Sequence, residues 1–417
     1  MENLRTVPDH SGISIISKIV KRMWDFVKRF ISALLVLILS ALPVVAFEEN
    51  ADDVVDFDAA QTVAEITELG CASAALCDLD SGRMLLMLNA DEQRAPASVT
   101  KIMTMLLVIE ACKSGAISMD DIVTASEHAC SMGGSQIFLE PGEQMTVREL
   151  FKSVSIASAN DAAVALAEFV CGSEDIFVAK MNTRADELGM ENTEFKNACG
   201  LDEEGHLTTA RDIALMSTEL CRHSEAFTFT TTWMDSVRNG EFGLTNTNKL
   251  IRSYKGITGL KTGSTGDAGF CISATAEKNG LRLCAVVMGA ESSAKRFECA
   301  TALLNLGFAS YESVDPLANT ELEQIRVKKG KKEVLSLETE EHRQILIDRG
   351  SSGSLNVELE YPEVVEAPIC KGDIIGQITV SQNGNVLCTV PIKAAEDIER
   401  LGFFGALFRL MSCVRLF

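Results

Sequence analysis

Ser98 and Lys101 stand three residues apart in Ala95-Pro96-Ala97-Ser98-Val99-Thr100-Lys101, at the head of an apolar run over 102–109. Apolar residues at 99, 102, 103, 106, 107 and 109 predict a largely buried helix, and Pro96 suits its start. Residues i and i+3 are neighbours on a helix, so the Lys101 amine reaches the Ser98 hydroxyl. Burial penalises the charged amine and leaves a neutral base able to take the serine proton. Free amides at the helix start favour the negative charge that then develops. This is an activated serine nucleophile that needs no histidine. The spacing alone is weak, because Ser292-Ser293-Ala294-Lys295 also matches it, without a long apolar helix behind it.

Two further clusters could complete the chemistry. Ser158-Ala159-Asn160 offers a hydroxyl to relay a proton and an amide to hold a substrate carbonyl, although S-x-N recurs at Ser354 and Ser381. Lys261-Thr262-Gly263 occurs once and offers a cation and a hydroxyl for a carboxylate. Gly263 leaves room for an extended substrate along a strand edge. No cluster decides alone; their order and spacing do.

The elements that must position these residues are legible in outline. Alternating apolar runs at 72–79 and 84–88 flank Asp80-Ser81-Gly82 and predict a hairpin; 269–277 and 281–289, joined by Lys278-Asn279-Gly280, predict another. Helical patterns occupy 147–154, 162–170, 176–188, 209–221 and 293–305. Strands at both ends with helices between predict one antiparallel sheet carrying a helical insert, an α+β arrangement. Short strands at 322–327, 333–337, 344–347, 355–359, 374–380 and 386–390 predict a small all-β domain over 313–393, read as a spacer or scaffold.

The 417-residue chain has room for two or three domains, and its net charge of −21 argues against a nucleic-acid partner. Residues 1–46 join a basic leader to an apolar run and read as a secretory signal, with an uncleaved anchor as the rival; either exports the body. Thirteen cysteines, odd in number and without a C-x-x-C pair, predict buried thiols rather than a disulfide framework. Five scattered histidines show no metal-ligand spacing, so neither metal nor cofactor is expected. Residues 396–417 combine phenylalanine and leucine with three arginines, and are too short and charged to span a bilayer. They predict an amphipathic helix lying in a membrane surface, or else one packed on its own protein.

S-x-x-K, S-x-N and K-T-G in this order resemble the motif set of class A β-lactamases and penicillin-binding proteins. More closely, the chain resembles the low-molecular-weight penicillin-binding proteins that are serine-type D-alanyl-D-alanine carboxypeptidases (peptidase family S11). The likeness spans about 57–310 and includes Gly133-Gly134-Ser135-Gln136-Ile137-Phe138-Leu139, Asn160-Asp161-Ala162-Ala163, Asn197-Ala198-Cys199-Gly200-Leu201-Asp202 and Gly205-His206-Leu207-Thr208-Thr209-Ala210-Arg211-Asp212. It implies a β-lactamase/transpeptidase-like α/β fold over 57–310, then the β-rich domain and the terminal amphipathic helix. It implies that Ser98 forms an acyl-enzyme, Lys101 accepts its proton and Ser158 shuttles a proton to the leaving amine. Asn160 would position the substrate amide, Lys261 would bind the terminal carboxylate with Thr262 assisting, and Gly263 would belong to the same substrate-binding set. Backbone amides of Ser98 and Ser264 would hold the oxyanion. The implied partners are peptidoglycan stem peptides ending in D-Ala-D-Ala, β-lactams and the outer face of the cytoplasmic membrane. Ala159 departs from the usual glycine, and His206 is expected to be structural. The alternatives are a β-lactamase of the same fold, for which Glu168 and Glu174 lack the expected sequence context, and a DD-endopeptidase.

Overall fold

A computed structural model of the chain describes residues 70–318, 320–339, 344–403, 405 and 407. The expected leader over 1–46 lies outside them. Five strands, β1 (Ser73–Asp78), β2 (Met84–Leu88), β3 (Ile257–Thr265), β4 (Gly269–Lys278) and β5 (Leu281–Ala290), form one antiparallel sheet in the order β2-β1-β5-β4-β3. The two predicted hairpins are joined where β1 pairs with β5, setting Ala75 opposite Val286 and Cys77 opposite Cys284. That pairing unites the two ends of the catalytic region. It also leaves β3, with its Lys261-Thr262-Gly263, as an edge strand.

Helices α1 (Lys101–Lys113), α2 (Val147–Ala157), α3 (Asn160–Cys171), α4 (Glu174–Glu187) and α5 (Ala210–Cys221) are inserted between β2 and β3, and α6 (Ser293–Ser310) follows β5. Residues 102–109 of α1 are almost wholly buried, because α2, α3, α4 and α5 all pack around that helix. Side chains alternate along each strand, so one sheet face meets this helical core through Ala75, Cys77, Cys284 and Val286. The other face packs on α6 through Leu76, Leu283, Ala285 and Val287. α6 runs five residues beyond the predicted end because Phe308 packs in the same cluster. The helix starts follow sequence chemistry: Thr146 and Glu149 form a reciprocal capping box on α2, and Ser173, Thr209 and Ser292 cap α4, α5 and α6. The second S-x-x-K match is thereby explained, since Ser292 accepts the Lys295 amide as an ordinary cap.

Beyond α6, nine strands follow: β6 (Tyr311–Val314), β7 (Ile325–Lys328), β8 (Val334–Leu335), β9 (Leu337–Thr339), β10 (Ile345–Asp348), β11 (Leu355–Glu360), β12 (Val364–Glu366), β13 (Ile374–Gln382) and β14 (Asn385–Ala394). They make three small sheets, β6-β10, β8-β7-β12 and β9-β14-β13-β11, around two apolar clusters. The expected helix over 396–417 needs correction at its start. Residues 396–402 are non-helical; Ile398 bridges Ile369 and is buried with Ile325, Val327 and Leu335, while Arg400 bridges Gly330. This stretch therefore belongs to the β-rich core. Phe403 is the first helical residue of the segment and is 78% exposed. Most of 404–417 lies outside the described residues. Among the described residues, no helix is long and apolar enough to cross a membrane.

Candidate active site

Ser98 does not lie on an α-helix. It occupies a 3-10 turn, Ala97–Thr100, directly ahead of α1. Residues i and i+3 eclipse in a 3-10 turn, so the reach from Lys101 to Ser98 survives the change. Ala97 sits in the left-handed region at φ 49°, a strained conformation for a side chain bearing a Cβ. Its carbonyl is held by Thr100 Oγ1 at 2.8 Å, and Thr100 Oγ1 meets His206 Nε2 at 2.8 Å. His206 Nδ1 accepts the Lys196 amide at 2.9 Å, which places the ring proton on Nε2, facing Thr100. Burial pushes His206 down to about 4, so the ring is neutral. His206 thus braces the Ala97–Thr100 turn that carries Ser98.

Two glycines let other segments close on this turn. A Cβ on Gly200, whose φ is +84°, would meet the Ala97 carbonyl oxygen at 1.9 Å. On Gly263 it would lie 2.7 Å from the Ser98 amide nitrogen. The glycine of K-T-G is needed here because β3 runs against the backbone of Ser98 and Val99; the expected clearance for a substrate is not what this contact explains.

Lys101 is fully buried, and its Nζ lies 2.9 Å from Ser98 Oγ, 2.6 Å from Asn160 Oδ1 and 2.6 Å from the Cys199 carbonyl. Burial lowers its pKa to about 8, against the opposing pull of Cys199 and Asp161. A neutral amine has two N–H groups and one lone pair. Asn160 Oδ1 and the Cys199 carbonyl can only accept, so they take both N–H groups and the lone pair is left for the Ser98 proton. Asn160 is held in this sense because its Nδ2 donates to the Gly133 carbonyl at 2.6 Å.

S-x-N forms the joint between α2 and α3. Ser158 ends α2 in the left-handed region at φ 64°, and Asn160 begins α3. Ala159 between them has φ −60° and ψ 122°, an extended conformation open to any L-residue, so glycine is not required there. Ser158 Oγ lies 2.9 Å from Lys261 Nζ, which also donates to the Thr262 carbonyl at 2.8 Å. Lys261 is 1% exposed, and its pKa is depressed first by burial and then by the positive charges of Lys101 and Arg296. Thr262 Oγ1 donates to Thr247 Oγ1 at 2.7 Å. All seven residues singled out in the sequence thus converge: Ser98, Lys101, Ser158, Asn160, Lys261, Thr262 and Gly263.

Other participants had no place assigned to them by a motif. Arg296, on the first turn of α6, is buried between Phe270 and Phe297 and donates to the Gly263 carbonyl at 3.0 Å, with its pKa lowered by burial to about 10. Cys199 contributes a backbone carbonyl, which no side-chain motif announces. Gly200 and Asn197, whose Oδ1 accepts the Gly200 amide at 2.7 Å, lay within a quoted signature without an assigned role. Glu174 bonds the Ala198 amide rather than Ser98. At the far end of α1, Glu110, Glu219 and His223 bring ligand-type atoms within 4.8 Å of one another, a grouping that sequence spacing did not suggest. Arg184 already bridges the two carboxylates there.

Known proteins share this chain's sequence and fold. A family model described as D-alanyl-D-alanine carboxypeptidase matches residues 59–292, and one described as the C-terminal domain of penicillin-binding protein 5 matches 311–400. The D-alanyl-D-alanine carboxypeptidase DacF of Bacillus subtilis is 46% identical over 346 residues, covering 82% of this chain and 89% of the relative. DacC of Escherichia coli is 36% identical over 367 residues, covering 84% and 89%. The crystal structure of penicillin-binding protein 5 from Haemophilus influenzae superposes with a TM-score of 0.67 at 31% identity, over 79% of this chain and 98% of that one. Penicillin-binding protein D2 from Listeria monocytogenes, in its ampicillin-bound form, matches 57% of this chain and 97% of its own with a TM-score of 0.53 at 33% identity. The family model over most of the catalytic sheet and insert, the 46% identity to DacF and the shared fold place the chain in the D-alanyl-D-alanine carboxypeptidase family, peptidase S11, whose members are serine peptidases.

Proposed function

We propose that the chain removes the terminal D-alanine from peptidoglycan stem peptides ending in D-Ala-D-Ala, through an acyl-enzyme on Ser98. The observation that carries this reading is the buried Lys101 amine, 2.9 Å from Ser98 Oγ with both of its N–H groups engaged elsewhere. Lys101 takes the Ser98 proton as Oγ attacks the penultimate D-alanine carbonyl. Amides of Ser98 and Ser264 hold the oxyanion; the contact of β3 with the Ser98 amide supports this pairing. Ser158, whose Oγ lies 2.9 Å from Lys261 Nζ, passes the proton to the leaving D-alanine. Asn160 keeps Lys101 aimed, and its second Nδ2 hydrogen serves a substrate carbonyl.

Lys261 and Thr262 receive the terminal carboxylate, with Arg296 adding positive charge behind Gly263. An arriving carboxylate favours the ammonium form of Lys261, which burial among cations had disfavoured. That charge in turn holds Lys101 neutral. A β-lactam whose carboxylate meets the same group acylates Ser98 as well. The protein acts outside the cytoplasm, and residues 403–417 hold it on the membrane's outer face.

The test is covalent labelling of the full chain with a fluorescent penicillin, beside digestion of a pentapeptide ending in D-Ala-D-Ala. The expected results are an adduct on Ser98, loss of label in Ser98→Ala, and release of one D-alanine. An adduct on Ser292, or label retained by Ser98→Ala, refutes the assignment.

A further inference from the structure

α4 lies behind the segment 195–199 and grips it by its backbone. Asn182 Nδ2 donates to the Phe195 carbonyl at 2.9 Å, and Asn182 Oδ1 accepts the Phe195 amide at 2.7 Å. Glu174, the first residue of α4, accepts the Ala198 amide at Oε1 over 2.8 Å. Its other oxygen meets His128 Nε2 at 2.7 Å, and the side chain is only 12% exposed. From the opposite side Thr104 Oγ1 donates to the Ala198 carbonyl at 2.6 Å. The next carbonyl along the chain, that of Cys199, is the one that receives Lys101 Nζ.

We propose that Glu174 is a positioning residue for acylation: by holding the Ala198 amide it places the Cys199 carbonyl, and that carbonyl aims the Lys101 lone pair at Ser98. A lysine side chain has enough rotatable bonds that its lone pair points nowhere in particular unless its N–H groups are pinned. The Cys199 carbonyl is one of only two pins; its own peptide is held through the Gly200 amide by Asn197 Oδ1, and Glu174 ties the start of that segment at the Ala198 amide. Displacing a reacting group by about 1 Å costs of order a hundredfold in rate, so a loosened loop is felt at Ser98. Both Glu174 oxygens are engaged, one by His128 and the other by the Ala198 amide.

The inference rests on Lys101 being the base, and the variants separate the two ideas. Acylation by a fluorescent penicillin, decay of the adduct and thermal melting are measured on full-length parent, Glu174→Ala, Glu174→Asp, Glu174→Gln and Lys101→Met. Glu174→Ala lowers the acylation rate constant at least tenfold. Glu174→Asp keeps the charge but withdraws the carboxylate by one methylene, so it also loses rate; it serves if the alanine variant does not fold. Glu174→Gln retains an oxygen for the Ala198 amide and stays within about threefold of parent, with adduct decay unchanged. Parental acylation in a folded Glu174→Ala or Glu174→Asp, or a Glu174→Gln as slow as alanine, overturns the proposal. A defect confined to adduct decay overturns it too and makes Glu174 a hydrolytic base. If Lys101→Met still acylates, the base assignment itself falls, whatever Glu174 does.

Discussion

The depressed pKa of Lys101 makes a quantitative demand on the pH dependence of acylation. Only the neutral amine can take the Ser98 proton, so at subsaturating penicillin the rate follows the deprotonated fraction in the free enzyme. With a pKa of about 8 rather than 10.5, that fraction at pH 7 is about one tenth instead of about one in three thousand, a gain of roughly 300-fold, or about 3 kcal/mol. The rate should climb about 50-fold from pH 6 to pH 8 and then less than about twofold from pH 8 to pH 9. A lysine left at 10.5 would instead gain about tenfold over that last step. Stopped-flow acylation with a fluorescent penicillin between pH 5.5 and 9.5, at constant ionic strength, reads the curve directly. Lys101→Met, which keeps the bulk without a base, should lie near the floor at every pH. A profile that is flat, or one that keeps rising tenfold past pH 8, would falsify the assignment of a burial-tuned lysine base.

Gly263→Ala puts a methyl 2.7 Å from the Ser98 amide and 2.9 Å from that of Val99; the turn must shift at a cost of about 1–3 kcal/mol, so acylation should fall roughly ten- to a hundredfold in a protein that still melts cooperatively. His206 is held near 4 against about 6.5 in an unfolded chain; the unfolded state therefore binds the proton first, and stability is lost as pH falls from about 6.5 to 4, by up to about 3 kcal/mol. Denaturant midpoints across that range should fall less steeply in His206→Gln than in parent. Ending the chain after Gly402 should release it from anionic vesicles in a flotation assay with penicillin labelling intact. Ending it before Ile398, which is 1% exposed, should instead destabilise the β-rich region by about 2–5 kcal/mol, seen as a lower melting transition.

Much of the site was legible because its chemistry depends on residue type. Ser98 and Lys101, Ser158 and Asn160, and Lys261 with Thr262 each carry a functional group whose use is implicit in its identity, and their order along the chain set them apart from repeats such as Ser292–Lys295. The hairpins were legible for a related reason: strand alternation and a glycine turn are local signals. Helix α1 declared itself because a run of apolar residues with no polar face must be surrounded. Only the folded chain could show what acts through its backbone or through shape. The Cys199 carbonyl that pins Lys101 has no residue type. The need for Gly200 and Gly263 exists only because distant segments close on the Ala97–Thr100 turn, and Glu174 meets the Ala198 amide only because α4 lies behind it. The same limit misplaced the terminal helix, since apolar spacing does not distinguish Ile398, buried against the β-rich core, from the helical residues after it. Side-chain chemistry travels with the sequence, whereas backbone acceptors, close approaches and the covering of an apolar face arise from contacts between parts of the chain far apart in sequence.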